Sequence, residues 1–335
     1  MMATAVIDHD AGSLSCPVCG AADRIIKTDL TTSGDSRDKG TYFVFLCSKC
    51  GNGFTAPEVP DELYKLPPDI PRHSLSGWAQ SLLSFFMQRR VARIRIEGVR
   101  GRECELLDIG GGSCAFANLA ARGGFDVTVI EPNGNNSVFA DTPHHVKFVA
   151  QHFTPALLEQ GFLKPNSFDI VTMWHSLEHF PHPGETLQLL FRLLKPGGIV
   201  LISVPNIQSS QARFGNNFWA YLDVPHHLIH FTPRGLAWAL EQTGFVPLRS
   251  FPVSLEYDVF GWYQTWLNVL SRSYNYFYNR TKKNRLDEDY LPYPVWAKIL
   301  TRMGIVLLPL VLFCSAFAAL VKSPSCVEVI YRRPK

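Results

Sequence analysis

The sequence predicts a doubly wound α/β domain with a mainly parallel sheet, a small cysteine-held module in front of it and a long apolar segment near the end. Three observations carry this expectation. From Glu103 onward, short apolar runs alternate with helical stretches. The first of these runs leads directly into a glycine turn, "DIGGGSCA", Asp108 to Ala115. Two Cys-x-x-Cys pairs, Cys16 with Cys19 and Cys47 with Cys50, stand ahead of all of it.

A chain of 335 residues suits one large domain or two moderate ones. Its hydrophobic fraction is 46% and its charged fraction 18%, the latter below an average of about 25%, so a buried core is affordable in composition. The net charge of +3 is too small to imply a nucleic-acid partner. Basic residues cluster in "RRVARIR" (Arg89 to Arg95) and "NRTKKNR" (Asn279 to Arg285). Each cluster reads either as a solvated face or as a contact with an anionic surface or substrate. The first ten residues show no basic and apolar leader, so the expected compartment is the cytoplasm, where disulfides are rare.

In chain order, the first element is the cysteine module, residues 1–56. Each pair is followed by a glycine, Gly20 or Gly51, which suits a tight knuckle. Four thiolates so spaced converge on one tetrahedral ion, and a structural zinc ribbon is expected. Four sulfur ligands close the coordination shell, so the ion holds a fold and leaves no site for chemistry. Cys104, Cys114, Cys314 and Cys326 are scattered and read as small core residues. Residues 57–100 then form a Pro-rich linker, "APEVPDELYKLPPDIPRH", and an amphipathic helix within "SLSGWAQSLLSFFMQRRVARIRIEGV".

The strands that follow are "CELLDIG", "DVTVIEP", "VKFVA", "FDIVTMW" and "GIVLISVPN", with "CAFANLAARG" and "GETLQLLFRLLKPGG" as helices between them. Strand, glycine turn and helix form the place where an open α/β sheet receives a nucleotide-like ligand. Gly110 and Gly112 clear the backbone for close approach, and Glu131, ending the next strand, can accept both ribose hydroxyls. Gly110, Gly112 and Ala115 also fit the dinucleotide spacing, so NAD(P) and S-adenosylmethionine both suit the turn. Asp108, two positions before the first glycine, favours a ligand with a cationic head and no phosphate.

With "SFDIVTMWHSLEHFPHPGETLQLLFRLLKPGGIVLISVPN" downstream, the chain resembles the class I S-adenosylmethionine-dependent methyltransferases. More narrowly, it is similar to a bacterial group sharing the patterns "LEH…LLKPGG…VPN" and "W…VPHHLIHFTP". The resemblance implies a Rossmann-like sheet of seven strands, with the last inserted between its neighbours. It places the cofactor against Asp108, Gly110, Gly112 and Glu131, with Trp174 and His175 near its methyl end. Cys114 stands where many members have a third glycine. Gln151 stands where an acidic residue often meets adenine, so its amide is the expected contact.

His175, Glu178 and His179 are spaced to share one helical face. A related branch, the quinone O-methyltransferases, has a Glu-x-x-Glu-His stretch here that resembles a metal site. Here His175 replaces the first Glu, and the residues read either as a metal site or as the cofactor's floor. His226, His227 and His230 fall in the substrate-loop region, where they act as a general base or brace the loop. Trp219 and Tyr221 read as core under that loop or as a platform for a ring.

"GFVPLRSFPVSLEY" is the expected sixth strand and "CVEVIYRRP" the seventh, which makes the methyltransferase domain 101–256 plus 324–335. Residues 257–323 are then an insertion. Within it, Met303 to Val321 carries no charge and has the length of a spanning helix. A single crossing would leave the seventh strand on the far side of the bilayer, so the insertion must leave and return on one face. An interface-lying helical pair is expected, with Lys282, Lys283 and Arg285 near anionic headgroups; a soluble lid or dimer contact competes. The functional expectation is methyl transfer at the cytoplasmic face of a membrane, to a lipid-linked glycan or another amphipathic acceptor. A soluble nucleotide sugar is the rival acceptor. An NAD(P)-dependent oxidoreductase and a non-catalytic binding module are the other readings.

Overall fold

The computed structural model describes residues 14–31, 41–59, 77–95, 104–134, 146–272, 274 and 304–335. In chain order the strands are β1 (Ile25–Thr31), β2 (Phe43–Cys47), β3 (Gly53–Ala56), β4 (Cys104–Ile109), β5 (Phe125–Ile130), β6 (Val146–Val149), β7 (Phe168–Trp174), β8 (Leu194–Pro205), β9 (Ile229–His230), β10 (Val246–Phe251) and β11 (Cys326–Arg332). The helices are α1 (Gly77–Arg95), α2 (Ala115–Arg122), α3 (Ala156–Glu159), α4 (Pro183–Leu193), α5 (Ser210–Gly215), α6 (Pro233–Gln242), α7 (Leu255–Ser271) and α8 (Gly304–Leu320). They fall into two compact units. One comprises Met1–His73, Pro205–Leu236 and Phe251–Val327; the other comprises Ser74–Val204, Ala237–Ser250 and Glu328–Lys335.

The second unit carries a seven-stranded sheet in the order β10-β11-β8-β7-β4-β5-β6. β4 pairs in parallel with β5 and β7, β5 with β6, and β7 with β8. β11 runs the other way. Gly197, near the start of β8, donates to the carbonyl of Arg333, just past the end of β11. Asn206, past the end of β8, donates to Ser325, just before β11 begins. The sheet is therefore doubly wound, with its last strand inserted between β10 and β8. β4, β7 and β8 read as continuous apolar runs because they are buried on both faces. Phe116, Ala117, Ala120 and Ala121 make up the buried side of α2.

α1 turns Met87, Val91 and Ile94 inward, at i, i+4 and i+7. Its expected start and end, at Ser74 and Gly98, lie outside the described residues. The basic cluster here is in part a solvated face, with Arg89 and Arg95 exposed. Arg90 lies 4.7 Å over the ring of Trp174. Arg93 is buried against Glu328, and Arg95 donates to the carbonyl of Gly123. Guanidinium groups can cover aromatic faces and pair with buried carboxylates, so Arg93 serves the interior and Arg90, half-buried, covers a ring. Lys282, Lys283 and Arg285 lie outside the described residues.

The first unit is built on a four-stranded sheet, β1-β2-β3-β9. Its first three strands are the antiparallel strands of the cysteine module. The fourth is two residues from far along the chain, pairing Gly53 with His230 and Phe54 with Ile229. Val44, Trp219, Leu222 and Val224 pack beneath as core. Trp219 donates through Nε1 to Gln211 at 2.9 Å, and the Tyr221 hydroxyl donates to the carbonyl of Tyr257 at 2.9 Å. Trp219 is therefore a core residue, and Tyr221, half-buried, packs against that core. α7 and α8 pack on each other. The strand expected to run through "SLEY" ends at Phe251, and α7 begins at Leu255, because Asp258 accepts from the amide of Ser254 at 3.0 Å and fixes the first turn. α8 buries Val311, Ser315 and Ala318 and exposes Leu308, Leu312, Phe313, Phe317 and Leu320. Among the described residues no helix is long and apolar enough to cross a membrane.

Asn52, fully buried, accepts through Oδ1 from the amide of Thr232 at 3.1 Å, and its amide group lies where a Cβ on Gly235 would stand. Gly235→Ala should therefore lower the stability of this unit by about 1–3 kcal/mol, despite the better helix former. Urea unfolding followed by tryptophan fluorescence measures it, and an unchanged midpoint would refute the close packing.

Candidate functional site

In the second unit the ends of β4, β5 and β7 converge on one turn. Gly110 and Gly112 have φ of 75° and 51°, a region that favours glycine. A Cβ on Gly110 would lie 2.6 Å from that of Ser176, so no side chain fits there. A Cβ on Gly112 would meet nothing within 4 Å. The turn is thus closed on its inner side and open at Gly112, where a ligand can approach the backbone. Ser176 fixes the inner side by donating to the carbonyl of Ile109 at 2.8 Å.

Glu131 ties the turn to β5. Its Oε2 accepts from the amide of Gly112 at 3.0 Å and its Oε1 from that of Asn133 at 3.1 Å. Each oxygen keeps a further lone pair for a hydroxyl donor. Asp108 is buried and accepts from the hydroxyl of Thr172 at 2.7 Å. Burial pushes its carboxyl up to about 6. The Thr172 hydrogen bond and the Arg90 charge oppose that rise, and Glu131 adds to it. The site therefore holds two buried acids facing one arginine, an arrangement that receives a cationic group well and a phosphate poorly.

Trp174 is buried with its edge toward Phe116, ring centroids 5.5 Å apart, and its face toward Arg90. His175 takes φ of 51°, and its amide donates to the carbonyl of Ser203 at 2.8 Å. That backbone corrects the single helical face expected for His175, Glu178 and His179. Only Leu177–His179 is helical, as one 3-10 turn, because His175 must leave β7 through a left-handed residue. Its Nδ1 still lies 3.5 Å from the buried carboxylate of Glu178. Gln151 follows β6 with its side chain exposed, and its amide shares the carbonyl of Val149 with the amide of Glu131. The structure thus joins Asp108, Gly110, Gly112 and Glu131 through β4, β5 and β7. Sequence reading missed Arg90, Thr172 and Ser176; only Arg90 left a signal, in the basic cluster.

In the first unit the sulfurs of Cys16 and Cys50 lie 3.6 Å apart, as do those of Cys19 and Cys47. All four lie within 4.8 Å of one another. Bonds of about 2.3 Å in a tetrahedron separate sulfurs by about 3.8 Å, so the four residues could hold a metal ion. The histidines gather on Asp223, which sequence reading also missed. His226 Nδ1 lies 3.5 Å from Asp223 Oδ1, and His227 Nε2 lies 3.9 Å from Oδ2. His227 Nδ1 is 2.9 Å from the carbonyl of Tyr221, which can only accept, so that nitrogen carries a proton. His230 is buried, with Nε2 3.0 Å from the hydroxyl of Thr55, and burial drops its pKa to about 3. His227 therefore turns its Nε2 toward Asp223, whereas burial keeps His230 neutral.

An unfolded histidine titrates at about 6.5. Below that pH the unfolded chain binds a proton that folded His230 refuses, so its contribution to stability is present above 6.5 and is lost as pH falls toward 3. The stability difference between the wild type and His230→Gln should grow by up to about 1.4 kcal/mol per pH unit between pH 4 and 6. Urea unfolding across that range tests it, and a flat difference would show that the folded ring binds a proton as readily as the unfolded one.

Residues 76–250 match a family described as "Methyltransferase domain". The ubiquinone biosynthesis O-methyltransferase of Caulobacter vibrioides is 34% identical over 128 residues, which is 37% of this chain and 51% of that protein. The protein of the same name from Albidiferax ferrireducens is 27% identical over 195 residues, 54% of this chain and 73% of that one. The chain thus spans about half the length of the first curated relatives it matches. Among solved structures, a putative sarcosine dimethylglycine methyltransferase from Galdieria sulphuraria superposes with a TM-score of 0.47 at 14% identity, over 75% of this chain and 85% of that one.

Proposed function

We propose an acceptor and a division of labour for a chain that belongs to the methyltransferase-domain family and is an S-adenosylmethionine-dependent methyltransferase: its methyl group goes to a hydroxyl of an amphipathic molecule held at a lipid surface. Family membership decides between the two ligands that the glycine turn alone leaves open. S-adenosylmethionine brings a methyl group already activated on a sulfonium. Gly112 lets the cofactor lie against the backbone, and Glu131 accepts its ribose hydroxyls. Asp108 faces its ammonium, and Arg90 supplies the positive charge for its carboxylate. Gln151, Trp174 and His175 are the further proposed cofactor contacts. His227 is the proposed base for the acceptor's proton, through Nε2, and Asp223 stabilises the resulting imidazolium. His226 shares that carboxylate, and His230 contributes a neutral ring. Zinc is the proposed ion of Cys16, Cys19, Cys47 and Cys50, with a structural role.

The exposed side of α8 carries the choice of acceptor. Phe313 is 68% exposed and Leu320 81%, in line with Leu308, Leu312 and Phe317. Soluble monomers seldom leave so much contiguous apolar surface open, and such patches mark interaction sites. Lys322 follows at the end of the helix, where it would meet anionic headgroups. The relatives named for ubiquinone biosynthesis agree with an acceptor of this kind. A soluble nucleotide sugar is the second reading, with the α8 face then a contact between copies of the chain.

Two measurements test this. A membrane-containing lysate incubated with enzyme and methyl-labelled cofactor should carry its label in the lipid extract, and the enzyme should sediment with phosphatidylglycerol vesicles. Label confined to soluble metabolites, with a protein that dimerises and ignores vesicles, would overturn the lipid reading. Cofactor affinity should tighten by up to about tenfold per pH unit as pH rises to about 6 and then level off, because the ammonium favours ionised Asp108. Asp108→Asn should bind more weakly with no such slope in calorimetry. A wild-type affinity independent of pH would remove Asp108 from the site.

A further inference from the structure

The cysteine module does more than fold beside the histidine segment: it supplies the strand on which that segment is registered. β3 pairs with β9, so Gly53 stands opposite His230. The amide of Thr55 donates to the carbonyl of Leu228 at 2.9 Å. Asn52 accepts from the amide of Thr232 at 3.1 Å. A Cβ on Gly53 would lie 3.2 Å from that of His230, so the two backbones are in close contact. Residues 52–55 thus hold 228–232 along their whole length.

Within this contact the hydroxyl of Thr55 has a determined role. It lies 2.6 Å from the carbonyl of His227 and 3.0 Å from Nε2 of His230, and the side chain is buried. A hydroxyl has one proton and a carbonyl has none to give, so the Thr55 proton goes to His227. What faces His230 is then a lone pair of Oγ1. Only a proton on Nε2 makes that 3.0 Å contact attractive, and a neutral imidazole with a proton on Nε2 has its lone pair on Nδ1. Nδ1 makes no hydrogen bond to a described residue.

We propose that Thr55, from the cysteine module, is a positioning residue of the acceptor site, holding His230 as the Nε2–H tautomer so that Nδ1 accepts a hydrogen bond from a hydroxyl of the acceptor. The same hydroxyl anchors the backbone of His227, so one side chain orients both rings. This rests on the reading that the histidine segment serves the acceptor. It gives the module a function besides stability: the knuckle that holds the metal continues, through Gly51 and Asn52, into the strand that sets the tautomer.

The test uses the full-length, metal-loaded protein with 15N-labelled histidine. Long-range proton–nitrogen NMR at pH 7 should show one ring, identified by its absence in His230→Gln, with a protonated Nε2 and a bare Nδ1. Thr55→Ser keeps the hydroxyl and should keep that pattern. Thr55→Val removes it and should shift the ring toward the other tautomer, with cofactor affinity unchanged as the control for folding. Methyl incorporation into lysate lipid extract should fall by about tenfold in Thr55→Val, the loss expected for one hydrogen bond, and return in Thr55→Ser. A protonated Nδ1 in the wild type, or an unchanged ring in Thr55→Val, overturns the role given to Thr55 whatever the acceptor proves to be. A tautomer that shifts in Thr55→Val while methyl incorporation stays at the wild-type level overturns instead the placement of His230 in the acceptor site.

Discussion

The slot between β10 and β8 is the constraint on which the rest of the chain depends. β11 fills it, buried from Cys326 to Tyr331, and without it the sheet would have an open gap of unpaired amides and carbonyls. Arg333 closes the end by donating to the carbonyls of Phe191 and Leu194. The segment between β10 and β11 thus links two neighbouring strands of the sheet in chain order. α7 and α8 are what fills that interval among the described residues, and their two ends are tied together at Asp258. That carboxylate, buried, accepts from the amide and hydroxyl of Ser325 at 2.7 and 2.6 Å and from the amide of Ser254 at 3.0 Å. A buried carboxylate is costly unless its lone pairs are met, and here three donors meet them.

Buried charge recurs where chemistry or closure requires it. Asp108, Glu131, Glu178 and Glu328 are all buried. Glu328 is matched by Arg93, and losing either partner would leave a charge stranded in the core. Asp108 and Glu131 are matched in part by backbone amides and Thr172, and in part by Arg90 at a distance. Burial raises the Asp108 carboxyl, and Thr172 and Arg90 offset that rise only in part. A cationic ligand would complete the balance, so binding and ionisation are coupled through one residue.

The histidines show how neighbours separate chemically alike side chains. His227 presents one nitrogen to a carbonyl and the other to Asp223, and His230 presents one to Thr55 and is fully desolvated. Burial in the second arrangement lowers the ring's affinity for a proton. Spacing in "VPHHLIHFTP" shows that three rings are near one another. It does not show which of them has a carboxylate beside it, since Asp223 is an ordinary turn acid until its φ of 39° turns it under both His226 and His227.

What the sequence by itself determined are the features written in local spacing. The Cys-x-x-Cys knuckles, the glycine turn with Asp108 and Glu131, and the strand–helix alternation each lie within a few dozen residues and follow from ligand geometry or from the periods of strand and helix. The inserted last strand was legible through resemblance. Tertiary structure alone decided the direction of the arginines on α1, since charge predicts solvent and only the partner shows that Trp174 and Glu328 stand within reach. It also decided that His175 leaves its strand by a left-handed turn, and that Thr55 meets His230 across 175 residues of chain. A contact between side chains so far apart leaves no periodic trace, because either residue alone is an ordinary threonine or histidine, and the hydrogen bond exists only once β3 and β9 are paired.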